Sequence, residues 1–494
     1  MSKPVKRVLA LFVPMVLTAA CSSTTPWASR GEDQVEAGEA GLSGVDGPGG
    51  PGATDSTVAG PGGVTAVPGA TPGSTGPGAA GTKGPGTTVG PGGPGAFTGK
   101  PYGRGVTDTT VKIGFIAADE GVGNAGYGNA GLKNIDTGPQ AASARAMVDW
   151  LNANGGIRGR RVEAIVHVIS SIDEPAWCRK FGEDNQVLAV ILPHQGVTMP
   201  SCMAAKQTML LHEDSTLGDE EDFRRYAPYY YAPSWLNQTR NAKIYVDGLV
   251  AQGFFTPGAK IGLLRYDSAT HARAAQVLKA RLAHHGLSIT EEVAGKGLND
   301  SSWAGLAVTN FRRAGINKLL ILDFKSQMVT LYGAAAEGAA YNSVQYGLNS
   351  SSLWDFTAAN VGGQYDNAGG AVGVGHRPID DVKMTDHNAT IKKCFEIYRA
   401  KGIQLNSSNA MRYNIGYCDL VFFLKAGFDR ASALNATAFN TAVSQMGSAF
   451  EPALTFGTRF GPGATGGPSQ VRYARFNAAC QCFKYTSASV GVQH

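Results

Sequence analysis

Two histidines and two carboxylates stand where a metal site could form. His194 and His212 each follow a hydrophobic segment that predicts a β-strand, and Glu213 and Asp214 come directly after His212. Parallel strands would bring these groups to one sheet edge. A zinc site would favour a third histidine, however, and none accompanies them. Two such histidines are more typical of residues that face solvent or touch a ligand. We therefore expect no metal and no cofactor.

A glycine pattern raises the possibility of dinucleotide binding. Gly121, Gly123 and Gly126 follow the first predicted strand with the spacing G-x-G-x-x-G. That fingerprint requires a helix opening at the glycines, whereas here the predicted helix begins only after Thr137. The sequence also lacks a phosphate-binding loop and a G-x-S-x-G elbow, and its motifs assemble no nucleophile, base and orienting group. Catalysis is not expected.

The seven cysteines divide into one near the amino terminus and six that are available for disulfides. Sequence proximity favours Cys178 with Cys202 and Cys394 with Cys418. Cys480 and Cys482 would close a very tight ring, and their pairing stays open. A metal site at this Cys-x-Cys is disfavoured because no histidine accompanies it.

The amino terminus predicts an export signal. A basic segment, Lys3–Arg7, precedes the short apolar run Val8–Leu17, and LTAAC ends at Cys21. The segment resembles the lipobox of bacterial lipoproteins, although Thr18 stands where a branched aliphatic residue is usual. We expect residues 1–21 to be a lipoprotein signal ending at the lipid-attachment residue Cys21. Ordinary secretion is the alternative, and no later stretch predicts a transmembrane helix.

Residues 22–105 are rich in Gly, Pro, Ala and Thr and nearly lack large apolar side chains, so they predict a disordered linker. A collagen triple helix needs a glycine at every third position, and this segment does not keep that repeat. A flexible linker of this length spans on the order of 50 Å. The formal charge of +5 includes three positive charges in the predicted signal, which argues against a nucleic-acid partner.

Residues 106–487 alternate between strand and helix patterns, which predicts α/β architecture with two successive parallel sheets. Thr137 and Gln140 match a capping box for the first helix. The predicted strands are 111–118, 162–169, 187–192, 208–212, 260–266, 287–293, 318–324, 343–349 and 371–376, with antiparallel strands in 456–487. The predicted helices are 139–154, 174–185, 200–207, 238–252, 271–285, 302–314, 326–340, 385–401 and 412–447.

Several segments resemble the type I periplasmic-binding-protein family, in its branched-chain amino-acid and amide receptor branch. They are AGYG (125–128), WLNANGGIRGRRVE (150–163), YAPS (231–234), KIGLLRYD (260–267) and NIGYCDLVFFLKAG (414–427). The resemblance implies two Rossmann-like lobes joined by a three-stranded hinge, with crossings near 232, 377 and 453. Lobe 1 would comprise about 106–232 and 378–453, and lobe 2 about 233–377 and 454–487. The pair Cys178 and Cys202 also resembles the family's first-lobe disulfide.

The same resemblance implies a ligand set on loops between the lobes. In lobe 2, Lys325 and Asn349 depart from the family's usual tyrosine and acid, so an amide or carboxylate is as much expected as an amino acid. A cross-cleft pair of Asp214 with Lys325 would then set specificity. The implied ligand-binding residues are Tyr127, Gln195, Thr198, Asp214, Ser215, Thr216, His271, Lys325 and Asn349.

The resemblance implies a receptor rather than an enzyme. Its expected role is to deliver a small polar solute to the permease subunits of an ABC importer. The expected location is the outer face of the cytoplasmic membrane, held there by the lipid anchor. The alternative is a ligand-sensing lipoprotein of the same fold that signals to a membrane partner.

Overall fold

The structure, a computed structural model, describes residues 102–118, 136–193, 198–213, 218–297, 300–324, 326–381, 384, 387–463 and 466–492. The predicted signal, Cys21 and nearly all of the predicted linker lie outside these residues. Within the described part, no helix has the length and hydropathy needed to cross a bilayer.

The first lobe contains a five-stranded parallel sheet in the order β2-β1-β3-β4-β5. Its central strands read as continuous apolar runs because both faces are covered by helices. The strands are β1 (Thr110–Ala118), β2 (Arg161–Ile169), β3 (Ala189–Leu192), β4 (Met209–His212) and β5 (Tyr230–Tyr231). The crossover helices are α1 (Gln140–Ala153), α2 (Glu174–Cys178, continued as a π-helix over Arg179–Asp184), α3 (Met199–Ala205) and α4 (Glu220–Tyr226).

The second lobe contains a larger mixed sheet in the order β12-β11-β10-β9-β8-β6-β7, with β13 paired to β11. Strands β6 to β10 pair in parallel, while β11 and β12 add to the edge in antiparallel fashion. The strands are β6 (Ile261–Tyr266), β7 (Ile289–Gly295), β8 (Lys318–Leu322), β9 (Gln345–Asn349), β10 (Val372–Gly375), β11 (Gln470–Asn477), β12 (Cys482–Tyr485) and β13 (Val490–Gly491). The helices are α5 (Gln238–Ala251), α6 (Ala269–His284), α7 (Ser302–Ala314), α8 (Gln327–Gly338) and α9 (Asp355–Tyr365).

Three further helices return to the first lobe: α10 (Ala389–Ala400), α11 (Ser408–Arg430) and α12 (Ala436–Ser444). Their apolar faces pack into the same core as β1 and β3. The predicted disulfides are both formed, with Cα atoms 6.2 Å apart for Cys178–Cys202 and 5.8 Å for Cys394–Cys418. Cys480 and Cys482 are also bonded to each other.

Two local predictions were wrong, and a helix of the second lobe was missed. The capping box at Thr137 does not form, because Pro139 occupies the N-cap position of α1 and Gln140 accepts a hydrogen bond from the backbone of Ala118 instead. The predicted helix 412–447 is two helices, α11 and α12, separated at 431–435. Helix α9 was not predicted, since its sequence contains two adjacent glycines that disfavour a helix.

Candidate functional site

The start of α3 follows β3 at the carboxyl edge of the first sheet, where ligands of open α/β folds bind. In this chain the Glu174 carboxylate accepts the hydrogen bonds that the backbone amides at this helix start would otherwise offer to a ligand. The Glu174 Oε2 atom accepts hydrogen bonds from the Thr198 backbone N (2.6 Å), the Thr198 Oγ1 (2.5 Å) and the Met199 backbone N (3.1 Å). Thr198 is one of the implied ligand-binding residues, and both of its donors are engaged by Glu174.

In the second lobe a carboxylate likewise accepts hydrogen bonds from the amides at the start of α8, which follows β8. The buried Asp323 carboxylate accepts hydrogen bonds from the backbone N atoms of Met328 (2.9 Å) and Val329 (3.2 Å) and from the Ser352 Oγ (3.0 Å). Burial raises the pKa of Asp323 to about 6, against the lowering effect of these donors. The two carboxylates therefore satisfy helix amides that would otherwise attract an anion.

His271 lies in the first turn of α6, directly beyond β6. Its side chain is fully buried, with Nδ1 2.8 Å from the Ser268 Oγ and Nε2 3.4 Å from the Asp323 carbonyl oxygen. Burial lowers the pKa of His271 to about 4, so the ring is neutral near pH 7. Both ring nitrogens therefore lie within hydrogen-bond distance of other atoms of the protein.

Asn349 ends β9 and is likewise buried. Its Nδ2 donates to the Ile321 carbonyl oxygen (3.3 Å), and its Oδ1 accepts from the backbone N (3.0 Å) and Oγ (2.5 Å) of Ser351. These bonds shape the loop that carries Trp354. Asn349 and His271 both lie at the carboxyl edge of the second sheet and support the loops there.

Aromatic and cationic side chains join the two lobes above these loops. Trp354 of lobe 2 packs edge to face against Tyr413 of α11, with ring centroids 6.3 Å apart. The Arg412 guanidinium lies 5.2 Å from the Trp354 ring, a cation–π distance.

A second contact between the lobes is a buried ion pair. The Arg377 Nη2, just beyond β10, donates to the Glu213 Oε1, just beyond β4, at 2.6 Å. The side chains are only 1% and 4% exposed. The Arg377 guanidinium also stacks over the Trp235 ring at 4.9 Å.

A third contact joins the amino-terminal ends of α4 and α6. The Arg273 Nε lies 2.5 Å from the Asp219 Oδ2, and its Nη2 lies 3.1 Å from the Asp222 Oδ2. The Thr270 Oγ1 also donates to the Asp222 Oδ2 at 2.9 Å. Burial alone would raise the pKa of Asp219, but the hydrogen bonds from Arg273 and Asp222 hold it below its ordinary value.

Two buried carboxyls lie near the predicted crossings between the lobes. Asp419 of α11 accepts hydrogen bonds from the Ser234 hydroxyl and from the Ala453 backbone N, which lie near two different predicted crossings. Asp380 lies near the remaining crossing, 3.9 Å from the Arg412 Nη2. Burial raises the pKa of each of these carboxyls to about 6.

The other residues implied by the resemblance lie outside the described part of the chain: Tyr127, Gln195, Asp214, Ser215, Thr216 and Lys325. Sequence reasoning missed the residues that make the contacts between the lobes. Glu213 was considered only as a metal ligand, and nothing local to Glu174 or Arg377 reveals a partner more than 20 residues away. Within the described residues, no group of three or more His, Cys, Asp or Glu side chains could hold a metal.

Comparisons with known proteins bear on the fold. No family model matches the sequence, and no curated protein matches it significantly. Among solved structures, a fatty acid ABC transporter substrate-binding protein from Thermomonospora curvata superposes with a TM-score of 0.57 at 17% identity, covering 79% of this chain and 95% of that one.

Two further solved structures have different ligands. A branched-chain amino acid ABC transporter protein from Thermus thermophilus with bound valine has a TM-score of 0.58 at 13% identity, covering 78% of this chain and 98% of that one. An R. palustris solute-binding protein in complex with 4-hydroxybenzoate has a TM-score of 0.58 at 12% identity, with the same coverage. The chain therefore has the α/β fold of type I periplasmic solute-binding proteins.

Proposed function

We propose that the protein is an extracytoplasmic receptor that binds a small polar solute between its lobes and delivers it to an ABC importer. The observation that carries the proposal is the set of contacts between the two lobes, in each of which at least one partner follows the carboxyl end of a strand. Glu213 meets Arg377, Asp219 meets Arg273, and Trp354 meets Tyr413 across the lobes. A cleft of this kind can enclose a ligand when the lobes close about the hinge.

The solute class in this proposal is an amino acid, an amide or a carboxylate. The solved structures of this fold carry valine in one case and 4-hydroxybenzoate in another, so the fold accommodates different carboxylates. In this chain Glu174 and Asp323 already occupy the amides at the starts of α3 and α8. We therefore assign the ligand's charge to Lys325 and Asp214, a cross-cleft pair.

The remaining residues take two roles in the proposal. Tyr127, Gln195, Ser215 and Thr216 would contact the ligand directly, as the resemblance implies. Three other residues would position those loops without touching the ligand, because their side chains are hydrogen-bonded to other protein atoms: Thr198, His271 and Asn349.

A thermal-unfolding screen of the purified chain tests the binding role. The panel should contain amino acids, amides, aromatic carboxylates and fatty acids, since a ligand at 100 times its Kd adds about 2.7 kcal/mol of stability. A shift that saturates, followed by calorimetry showing one bound molecule per chain, is the expected result. Stability unaffected by the whole panel, or chemical turnover of a bound compound, would refute the proposal.

Variants of the cross-cleft pair test the assigned charges. Lys325→Met and Asp214→Asn should each weaken the identified ligand by about 10-fold or more, because a charge-assisted hydrogen bond is worth about 1.5 to 3 kcal/mol. Lys393→Met is the control, since Lys393 lies on the outer face of α10 with 51% of its side chain exposed. Unchanged affinity in both cleft variants would remove the pair from the site.

The lipid anchor at Cys21 belongs to the same proposal. Cys21→Ala should release the protein from membranes into the soluble fraction, which fractionation and immunoblotting would detect. Retention of the variant in the membrane fraction would refute attachment at this residue.

A deletion of the gene separates a transport role from a sensing role. Cells that lack the protein should lose import of the solute if it is a transport receptor, whereas import should persist if the protein is a sensor.

A further inference from the structure

The strongest feature outside the proposed ligand loops is the ion-pair group of Arg273 with Asp219 and Asp222. These residues belong to different lobes, because α4 packs in the first-lobe core through Phe223 and α6 packs in the second-lobe core through Leu278. Both helix starts follow the carboxyl ends of strands, and the start of α4 also lies beside the start of α5, where the Gln238 backbone N donates to the Gly218 carbonyl oxygen at 2.9 Å.

The acidic half of this group is ordered by hydrogen bonds within the first turn of α4. The Asp219 Oδ1 accepts from the Asp222 backbone N (3.0 Å), and the Asp222 Oδ2 accepts from the Asp219 backbone N (3.3 Å). This reciprocal arrangement is a capping box, which fixes the first turn of α4. The Asp219 side chain is 2% exposed and that of Asp222 14% exposed. Arg273 therefore meets preorganised carboxylates.

We infer that Arg273 is a latch between the lobes, whose ion pairs with Asp219 and Asp222 favour the closed form and so raise ligand affinity. An opening rotation that separates these atoms beyond about 4 Å breaks the pairs. Thr270 strengthens the same contact from the lobe 2 side. The effect on affinity rests on the proposed function, whereas the effect on lobe opening does not.

The chain contains a matched control on the same helix. Arg281 of α6 binds Asp247 of α5 with its Nε 2.5 Å from the Asp247 Oδ1, and its side chain is 35% exposed, as is that of Arg273. Arg281 and Asp247 both belong to lobe 2, so this pair does not join the lobes. Arg281→Ala therefore removes an equivalent ion pair without affecting closure.

Hydrogen exchange of the full chain without ligand tests the latch. The reporting segments are 349–354 and 409–414, which form the Trp354–Tyr413 contact and are remote in sequence from both arginines. Arg273→Ala should speed exchange of the protected amides there by about 3- to 10-fold, because a larger open fraction exposes them. Arg281→Ala should leave them unchanged, and Arg273→Lys should restore most of the protection.

Salt gives an independent readout. Raising NaCl from 0.1 to 1 M shortens the screening length from about 10 to about 3 Å, so the wild type should approach the exchange of Arg273→Ala while the variant changes little. Equal exchange in these segments for wild type, Arg273→Ala and Arg281→Ala would overturn the latch even if a ligand is found. Failure of every ligand to bind would refute the receptor role and leave the exchange result to decide on the latch.

Discussion

The carboxylates of Glu174 and Asp323 show what single residues contribute to this cleft. Each accepts backbone hydrogen bonds at the start of a helix that follows a strand, one in each lobe. The sequence predicts the neighbouring strand ends well, because buried apolar runs mark them. It does not predict that Glu174 reaches Thr198, since this contact depends on how α2 packs beside α3. The strand that precedes Thr198 was therefore predictable, whereas the hydrogen bonds from Thr198 to Glu174 were not.

Glu174 should stabilise the first lobe measurably. Glu174→Ala leaves the donors of Thr198 and Met199 without their carboxylate acceptor, and this should lower the free energy of unfolding by about 1 to 3 kcal/mol. Urea denaturation followed by circular dichroism measures the change. Glu396→Ala, an exposed residue of an i,i+3 pair, should change stability by less than about 0.5 kcal/mol. Equal effects of the two variants would contradict this role.

His271 should make stability depend on pH. Its folded pKa of about 4 lies below the ordinary value of 6.5, so between these values the unfolded chain takes up a proton that the folded chain does not. Stability from this group is thus present above pH 6.5 and is lost as pH falls toward 4. Wild type should lose about 2 to 3 kcal/mol more than His271→Gln between pH 7 and pH 4.5.

Urea titrations at the two pH values give that difference, and other titrating groups cancel because both proteins contain them. His284→Gln removes an exposed histidine from the same helix and should behave like wild type. A parallel pH dependence in wild type and His271→Gln would show that the ring is protonated in the folded state.

At the scale of elements, hydrophobic periodicity predicted most of the strands and helices that build the two sheets. Boundaries failed where capping decided them. Residues 412–447 share one apolar periodicity, yet Asn435 starts a new helix by accepting a hydrogen bond from the Ala438 backbone N at 2.9 Å. An asparagine in a helical pattern is ambiguous, because the same side chain also occurs within helices. Helix α9 is held mainly by tertiary packing, which local sequence does not encode.

Asn435 should act as a true N-cap. Asn435→Ala should lower the free energy of unfolding by about 1 kcal/mol, since the first amides of α12 lose their acceptor. Asn435→Asp retains an acceptor and should recover most of the loss. Chemical denaturation measures both, with Thr437→Ala on the exposed face of α12 as control. Full stability of Asn435→Ala would mean that packing alone begins the helix.

At the scale of the whole molecule, the sequence predicted two α/β lobes, but not the buried charges between them. Glu213 and Arg377 are 164 residues apart, and Asp419 reaches Ser234 from 185 residues away. Such partners are brought together only by the chain crossings. Since an unpaired buried charge is costly, the crossings and the lobes must form together. We therefore expect the described fold to unfold in one transition.

The Glu213–Arg377 pair gives the sharpest test of that coupling. Arg377→Met keeps the packing on Trp235 but leaves a buried carboxylate without its cation, which should cost about 3 to 5 kcal/mol. Adding Glu213→Gln removes the unpaired charge, so the double variant should be more stable than the sum of the single losses predicts, by about 2 kcal/mol or more.

A double-mutant cycle by urea denaturation measures this coupling energy. The same cycle on Arg281 and Asp247, a partly exposed pair within lobe 2, should give less than about 1 kcal/mol. Of these two pairs, only Glu213–Arg377 connects lobe 1 to a predicted crossing. Arg377→Met should therefore also split the single unfolding transition into two, which calorimetry would detect. Additive losses at Glu213 and Arg377, with one transition retained, would show that the pair does not couple the lobes.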